Sequence, residues 1–370
     1  MNSIVIPDYI NSILPYQGGR PIKEVARELN ISEGNIVKLA SNENPLGISP
    51  KAKKAIEDNI SDISRYPDGN AYYLKEAIHK KFNILTSQII LGNGSNDILE
   101  LVARTFLAPN DEAIFSEHAF AVYSLVIQSV GAKGIEVPSS NYSHDLEKFL
   151  TAINKKTKVI YIANPNNPTG TLIEKSKLKF FLNNVPKHIV VVLDEAYDEY
   201  LHDDAKSEGF NWISQYENLL ISRSFSKAYG LAGLRLGYGV SSPFIIEVMN
   251  RIRQPFNVNA LVQTAAIASL DDDEFISRSR VVNDLGMNQI TSALTSLGIE
   301  FIRSYGNFVA FKLKDEQAAI MYYQHLLKNG VIVRPIANYK MPSFLRVSIG
   351  LEHENDRFIN ILRSCNPIGF

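Results

Sequence analysis

Three stretches of the chain are apolar almost without a break: Lys158–Ala163 (KVIYIA), His188–Leu193 (HIVVVL) and Asn218–Ile221 (NLLI). A strand with one wet face alternates apolar and polar side chains. These do not, so both of their faces must be covered. Shorter strands are expected at Gln88–Leu91, Ala113–Ser116 and Gly134–Val137, with helical patterns at Asp97–Leu107, Ala121–Val130 and Glu174–Asn183 between strands. Strand, loop and helix in that rhythm predict an α/β fold, a mostly parallel sheet sandwiched by helices.

Beyond Ser241 the pattern changes. A long helical stretch, Pro243–Leu270, is interrupted at Pro255 and leads into a second, Asp273–Leu297. Strands are then expected at Glu300–Arg303, Phe308–Leu313, Val331–Arg334 and Leu345–Ile349, with helices at Glu316–Lys328 and Glu352–Ser364. That is a smaller α+β domain. The expected division is an N-terminal arm (1–35) packing near the small domain, a large domain (36–250) and a small C-terminal domain (251–370).

A formal net charge of -1 offers no broad attraction to nucleic acid or to an anionic membrane, so any anion must be held by a local site. The one cysteine, Cys365, rules out an intrachain disulfide and a thiolate metal cluster, and no metal is expected. The start, MNSIVIPDYINSILPYQ, has no basic opening and carries Pro7 and Asp8 in its apolar part. It does not read as a signal peptide, and no apolar run approaches a membrane span; a cytoplasmic protein is expected.

Ligands of an open parallel sheet sit outside the carboxyl ends of its strands. Asn167, Asp194 and Lys227 each follow one of the three apolar strands, so they should face one crevice. The helix beginning at Ser95-Asn96-Asp97, after the glycine loop Gly92–Gly94, would place free N–H groups and a positive dipole end at the same edge. A lysine there suits a Schiff base, and a carboxylate that keeps a pyridine nitrogen protonated is its partner in pyridoxal phosphate chemistry. Asn167 and Tyr197 would donate to the ring oxygen. Ser224, Ser226, Arg235 and the helix start would share the phosphate. Taken singly, each residue has a plainer role: Asp194 as a cap, Asn167 as turn chemistry before Pro168, Tyr197 as core, Arg235 and Lys227 as surface cations. Jointly, four loops in this order favour the site.

NPNNPTG, DEAY, SFSK and the arginine eight residues past the lysine resemble the fold-type I pyridoxal-phosphate aminotransferases of class I/II. SNENPLG, RYPDG, GNGSND, LAGLRLGYG and GVIVRPIANYKMPSFLRVSIG resemble, more narrowly, the histidinol-phosphate aminotransferase subfamily, from about Tyr16 to Ile349. The resemblance implies a seven-stranded sheet in the large domain and a homodimer with shared sites. It implies Lys227 as the catalytic lysine, Asp194 against the ring nitrogen, Asn167 and Tyr197 on the ring oxygen, and Phe120 stacked on the ring. Ser95, Asn96, Ser224, Ser226 and Arg235 would hold phosphate, with Tyr66 from the other subunit. Tyr16, Asn42, Arg334 and Arg346 would line the substrate pocket. Two positions depart from the family: His118-Ala119-Phe120 where it often has Pro-Thr-Tyr, and Asn96-Asp97 where it often has Asp-Glu.

The activity implied is transamination between histidinol phosphate and 2-oxoglutarate, in histidine biosynthesis. One site must then take a phosphate and a carboxylate in turn, and arginine forks bind both. The rivals are an aromatic aminotransferase, a phosphothreonine decarboxylase-like lyase and, outside enzymes, a cofactor-sensing regulator. A regulator would need a DNA-binding segment, and the first 35 residues are too short and neutral for one.

Overall fold

A computed structural model describes residues 4–365. In chain order the strands are β1 (Val37–Lys38), β2 (Ile89–Gly92), β3 (Glu112–Ser116), β4 (Lys133–Val137), β5 (Thr157–Ala163), β6 (Val190–Asp194), β7 (Leu219–Ser224), β8 (Gly237–Val240), β9 (Phe308–Lys312), β10 (Val331–Ile332), β11 (Arg334–Pro335) and β12 (Phe344–Ser348). A seven-stranded sheet runs in the order β2-β8-β7-β6-β5-β3-β4. Its β3, β4, β5, β6 and β7 pair in parallel, and β8 runs antiparallel to both β2 and β7.

The unbroken apolar strands have the predicted cause. Ile160, Ile162, Val191 and Leu193 enter one core, which contains Phe149, Phe181 and Trp212. Their neighbours Val159, Tyr161, Val190 and Val192 enter the core on the other face, with Leu99, Tyr123 and Met249. Successive side chains point to opposite faces and both faces are dry.

Strand β8 is the element that pattern reading did not identify. Its sequence, GYGV, has two glycines and little strand propensity. Packing explains them: a Cβ on Gly237 would lie on the backbone nitrogen of Ser95, and one on Gly239 would press on Ile90 and Ile98. The glycines let the helix after β2 lie against this strand. The expected strand Glu300–Arg303 contributes, among the described residues, a single bridge from Phe301 to Phe311.

In the C-terminal part, β11, β12 and β9 form an antiparallel sheet whose core gathers Ile290, Leu294, Tyr322, Leu326, Phe358 and Leu362 from three helices. Helix Ala260–Leu270 lies beyond the division expected at 250/251, yet its Val262, Ala265, Ala266 and Leu270 belong to the large-domain core. We therefore place the change of core inside the next helix, Asp273–Ser296, whose later residues Ile290, Ala293 and Leu294 face the small domain. Near the N-terminus, Val25, Ala26, Ile36 and Ala40 pack on Ile332, and β1 pairs in parallel with β10. No described helix is long and apolar enough to cross a membrane.

Candidate active site

The carboxyl ends of the parallel strands meet at a cavity of about 380 Å³ between the two sheets. Asp194 is the last residue of β6, Ser224 the last of β7, and Asn167 lies in the loop after β5. Helix Ser95–Phe106 starts just past β2. Tyr16, Asn42, Ser95, Asn96, Phe120, Asn167, Asp194, Tyr197, Ser224, Ser226, Lys227, Arg235, Arg334 and Arg346 all line this cavity. Tyr66 does not. It is 83% exposed and stacks on Phe256, the ring centroids 4.8 Å apart.

The Lys227 ammonium donates to Ser41 O at 3.1 Å and stands 5.8 Å from the centre of the Tyr197 ring. Burial pushes this amine down to about 8, and the positive charges of Arg346 and Arg235 act in the same direction. Asp194 is buried. Its Oδ2 accepts from the Tyr123 hydroxyl at 2.9 Å, while Oδ1 has no partner among the described residues. Burial pushes its carboxyl up to about 6 against the pull of that hydroxyl. A buried carboxylate oxygen without a donor is costly. A protonated pyridine nitrogen is the donor it lacks.

At the opposite rim, Ser226 N–H donates to Ser224 Oγ at 3.0 Å, and Arg235 donates to Ser226 Oγ at 3.3 Å. Gly94, at φ 89°, has no room for a Cβ beside the Arg235 guanidinium. The missing side chain lets that arginine lie over the helix start, where N–H groups, hydroxyls and one cation converge. This is a phosphate cradle.

Arg334 and Arg346 are direct partners across β11 and β12, so both side chains stand on one face of that sheet. Arg346 donates to Ala40 O at 2.9 Å and to Asn167 Oδ1, its Nε has no partner among the described residues, and its guanidinium lies 5.1 Å from the Phe308 ring centre. Arg334 donates to Gln17 O and lies 5.7 Å from the centre of the Tyr16 ring. Two adjacent buried cations, one with a free donor, call for an anion.

Asn42 was expected to face substrate. Its side chain is instead committed: Nδ2 donates to the Tyr197 hydroxyl at 2.9 Å and Oδ1 accepts from Ser348 at 2.9 Å. It holds Tyr197 in place. Because Asn167 Oδ1 accepts a hydrogen bond from Arg346, its amide N–H₂ is what remains for a ring oxygen. Pattern reading also missed Tyr123, Ser41, Tyr339 and Ser348. For Tyr123 a signal existed, since a tyrosine hydroxyl within AVYSLVI must find a partner once that helix is buried.

The residues fit pyridoxal phosphate at each end: an unpartnered carboxylate oxygen for the nitrogen, a lysine amine of lowered basicity, and hydroxyls, N–H groups and an arginine that could hold the phosphate.

The chain matches the family described as aminotransferase class I and II over residues 34–362. It is 57% identical over 356 residues to a histidinol-phosphate aminotransferase of Methylobacillus flagellatus, covering 96% of each chain. It is 53% identical to histidinol-phosphate aminotransferase 2 of Pseudomonas fluorescens, covering 95% of each. The crystal structure of histidinol-phosphate aminotransferase from Sinorhizobium meliloti in complex with pyridoxal-5'-phosphate superposes with a TM-score of 0.90, at 26% identity and 98% coverage of both chains. A Thermus thermophilus aspartate aminotransferase double mutant superposes with a TM-score of 0.82 at 23% identity, covering 97% of this chain and all of that one, a likeness of fold.

Proposed function

The chain belongs to the aminotransferase class I and II family, and from that premise we propose that it exchanges the amino group of L-histidinol phosphate with 2-oxoglutarate. The products are imidazole-acetol phosphate and L-glutamate, a step of histidine biosynthesis. The observation that carries the substrate assignment is the pair Arg334 and Arg346. They are opposed in register on one face of a sheet and line the same cavity as Lys227. A substrate phosphate and a glutamate carboxylate can use that pair in turn, because a guanidinium fork suits both anions.

Pyridoxal phosphate, when bound, supplies an electron-withdrawing ring that stabilises negative charge at the substrate Cα. The chain does the rest. Asp194 would keep a proton on the ring nitrogen through its free Oδ1, and Tyr123 keeps that carboxylate aimed. Tyr197, held by Asn42, and the Asn167 amide supply donors for the ring oxygen. Ser95, Asn96, Ser224, Ser226 and Arg235 would hold the phosphate, and Phe120, which lines the same cavity, would lie against the ring. Lys227 would be the amine that holds the cofactor and, with it bound, the general base for the proton at the substrate Cα. Desolvation, which depresses its basicity, keeps a usable fraction unprotonated near neutral pH.

A substrate panel tests this reading. Purified enzyme with glutamate should turn over imidazole-acetol phosphate in preference to phenylpyruvate, and should release no carbon dioxide from phosphothreonine. A phenylpyruvate preference would make it an aromatic aminotransferase; carbon dioxide release would make it a lyase.

The reading includes a cytoplasmic homodimer, in keeping with phosphorylated substrates that do not cross membranes. Tyr66 supports shared sites: it is exposed, outside its own cavity, and lies on a turn-rich loop. Mixing inactive Lys227→Ala chains with Tyr66→Phe chains is expected to raise activity above that of the Tyr66→Phe homodimer. One site of each mixed dimer then joins an intact lysine to an intact tyrosine. If activity only averages the two parents, Tyr66 does not serve its neighbour.

A further inference from the structure

Behind the cavity lies a cluster of charge that the proposed chemistry does not use. Arg223 sits on β7 between Ser222 and Ser224, and Glu195, Asp198 and Glu199 sit among the residues that follow β6. All four are buried. Arg223 Nε donates to Glu195 Oε2 at 2.9 Å, and its NH2 lies 2.7 Å from the same oxygen. Its NH1 donates to Asp198 Oδ2 at 2.7 Å and to Glu199 Oε1 at 3.4 Å. The guanidinium also lies 4.6 Å from the centre of the Phe210 ring.

The placement is systematic. Asp194 and Tyr197 face the cavity, and their chain neighbours Glu195 and Asp198 face the arginine. On β7, Ser224 lines the cavity and Arg223 points behind it. The β6–β7 ladder ends with Glu195 N–H donating to Ser222 O at 2.9 Å, and beyond that point the backbones part. Arg223 is the side chain that spans the gap. It ties the turn Asp198–Tyr200 to the strand that leads to Lys227. A guanidinium fork reaching two carboxylates in fixed directions fits this task; a point charge would not.

An anchor for stability alone would be better made from packed apolar side chains, because burying four charged groups is expensive. Three carboxylates around one guanidinium leave two negative charges in excess, and protons take up part of that excess: burial pushes Glu195 and Glu199 up to about 7, Asp198 adding to both. Tyr200, Tyr229 and Tyr238 lie near enough for the cluster's charges to act on their hydroxyls, Ser207 donates to Glu195, and Arg280 donates to Glu199 O.

We propose that Arg223 is a positioning residue of the active site: by clamping the Glu195–Glu199 turn to β7 it sets the spacing between Asp194 and Tyr197 on one side and Ser224 and Lys227 on the other. It acts through those residues and touches neither substrate nor cofactor. The proposal rests on the cofactor reading above.

The test uses full-length Arg223→Lys and Asp198→Asn chains beside wild type. Three quantities are measured: the Kd of the apoenzyme for pyridoxal phosphate, the pH midpoint of the visible absorption of the loaded enzyme, and the circular dichroism and Tm of the apoenzyme. Lysine keeps the charge and loses the fork, so the Kd should rise about tenfold or more, as expected for one charged hydrogen bond lost in a buried network. The visible midpoint should move as well, because the groups around the lysine change spacing. Asp198→Asn should shift both readouts the same way by less. A merely structural role would lower Tm and leave the Kd and midpoint of the folded fraction at wild-type values. That result in both variants overturns the proposal. If Arg223→Lys does not fold, the Kd and midpoint of Asp198→Asn decide by the same criterion. If wild type itself fails to bind pyridoxal phosphate, the cofactor reading falls instead.

Discussion

Replacing Lys227 with alanine is expected to abolish the pH-dependent visible absorption of the loaded enzyme and to lower turnover by about 10⁴-fold or more. The magnitude follows from the two tasks one amine performs. A positioned proton carrier contributes roughly 10²–10⁴-fold, and the loss of a covalent tether adds to it. Among the described residues lining the cavity no other amine is present, and a guanidinium, which has no lone pair to offer, cannot take over. A second observable follows from the depressed basicity of the amine. Capture of pyridoxal phosphate by the wild-type apoenzyme should quicken with rising pH and level off above about 8 rather than above the usual lysine value, because only the neutral amine is a nucleophile. The alanine chain should show no such rise, and its cofactor, held without a covalent bond, should wash out on dialysis. A persistent titrating visible band in the Lys227→Ala enzyme would move the tether to another residue.

That lysine could be found in the sequence because its signal is local. An unbroken apolar strand ends, small hydroxyl residues follow, and geometry sends the next side chains to the crevice. The same logic located Asp194, at the end of VVVL, and Asn167 after KVIYIA. Helix Glu316–Lys328 was also legible, from its helical pattern. What stayed hidden depends on partners far along the chain. Strand β8 owes its existence to close approach by the helix after β2, and two glycines in four residues carry no strand signal. Tyr123 meets Asp194 across 71 positions, and Asn42 meets Ser348 across 306. Arg223 stands between two serines in the sequence; its three carboxylates lie in the DEAY segment and the turn after it, and nothing in either stretch alone announces the pairing. The core that helix Ala260–Leu270 joins was hidden for a similar reason. Helix Ala260–Leu270 is apolar nearly all round, so its sequence does not say which of two cores receives it.

Asp194→Asn separates stability from activity, and its two effects should run in opposite directions. The carboxyl of the folded apoenzyme titrates near 6, above its ordinary value of 3.8, so keeping it ionised costs stability. The sign follows from proton counting: between those two values the folded state holds more protons than the unfolded one, and stability falls as pH rises. Above about 6 the full cost is present. Asparagine has nearly the same shape, keeps an oxygen for the Tyr123 hydroxyl and carries no charge. Apo Asp194→Asn should therefore be more stable than wild type at pH 7, by on the order of 3 kcal/mol from the shift of roughly two units, and the gain should vanish below about pH 4. Turnover should drop about 10³-fold, the scale seen when a preorganised electrostatic partner is removed. An amide cannot hold the ring nitrogen protonated, so charge developing at Cα loses its sink. Thermal melts of the apoenzyme across pH, set beside kcat for the loaded enzyme, read both effects from one preparation. Parallel losses of Tm and activity would mean that Asp194 is a structural residue; a rise in apo Tm with collapse of kcat is the pattern of a charge held in place for chemistry at the expense of the fold.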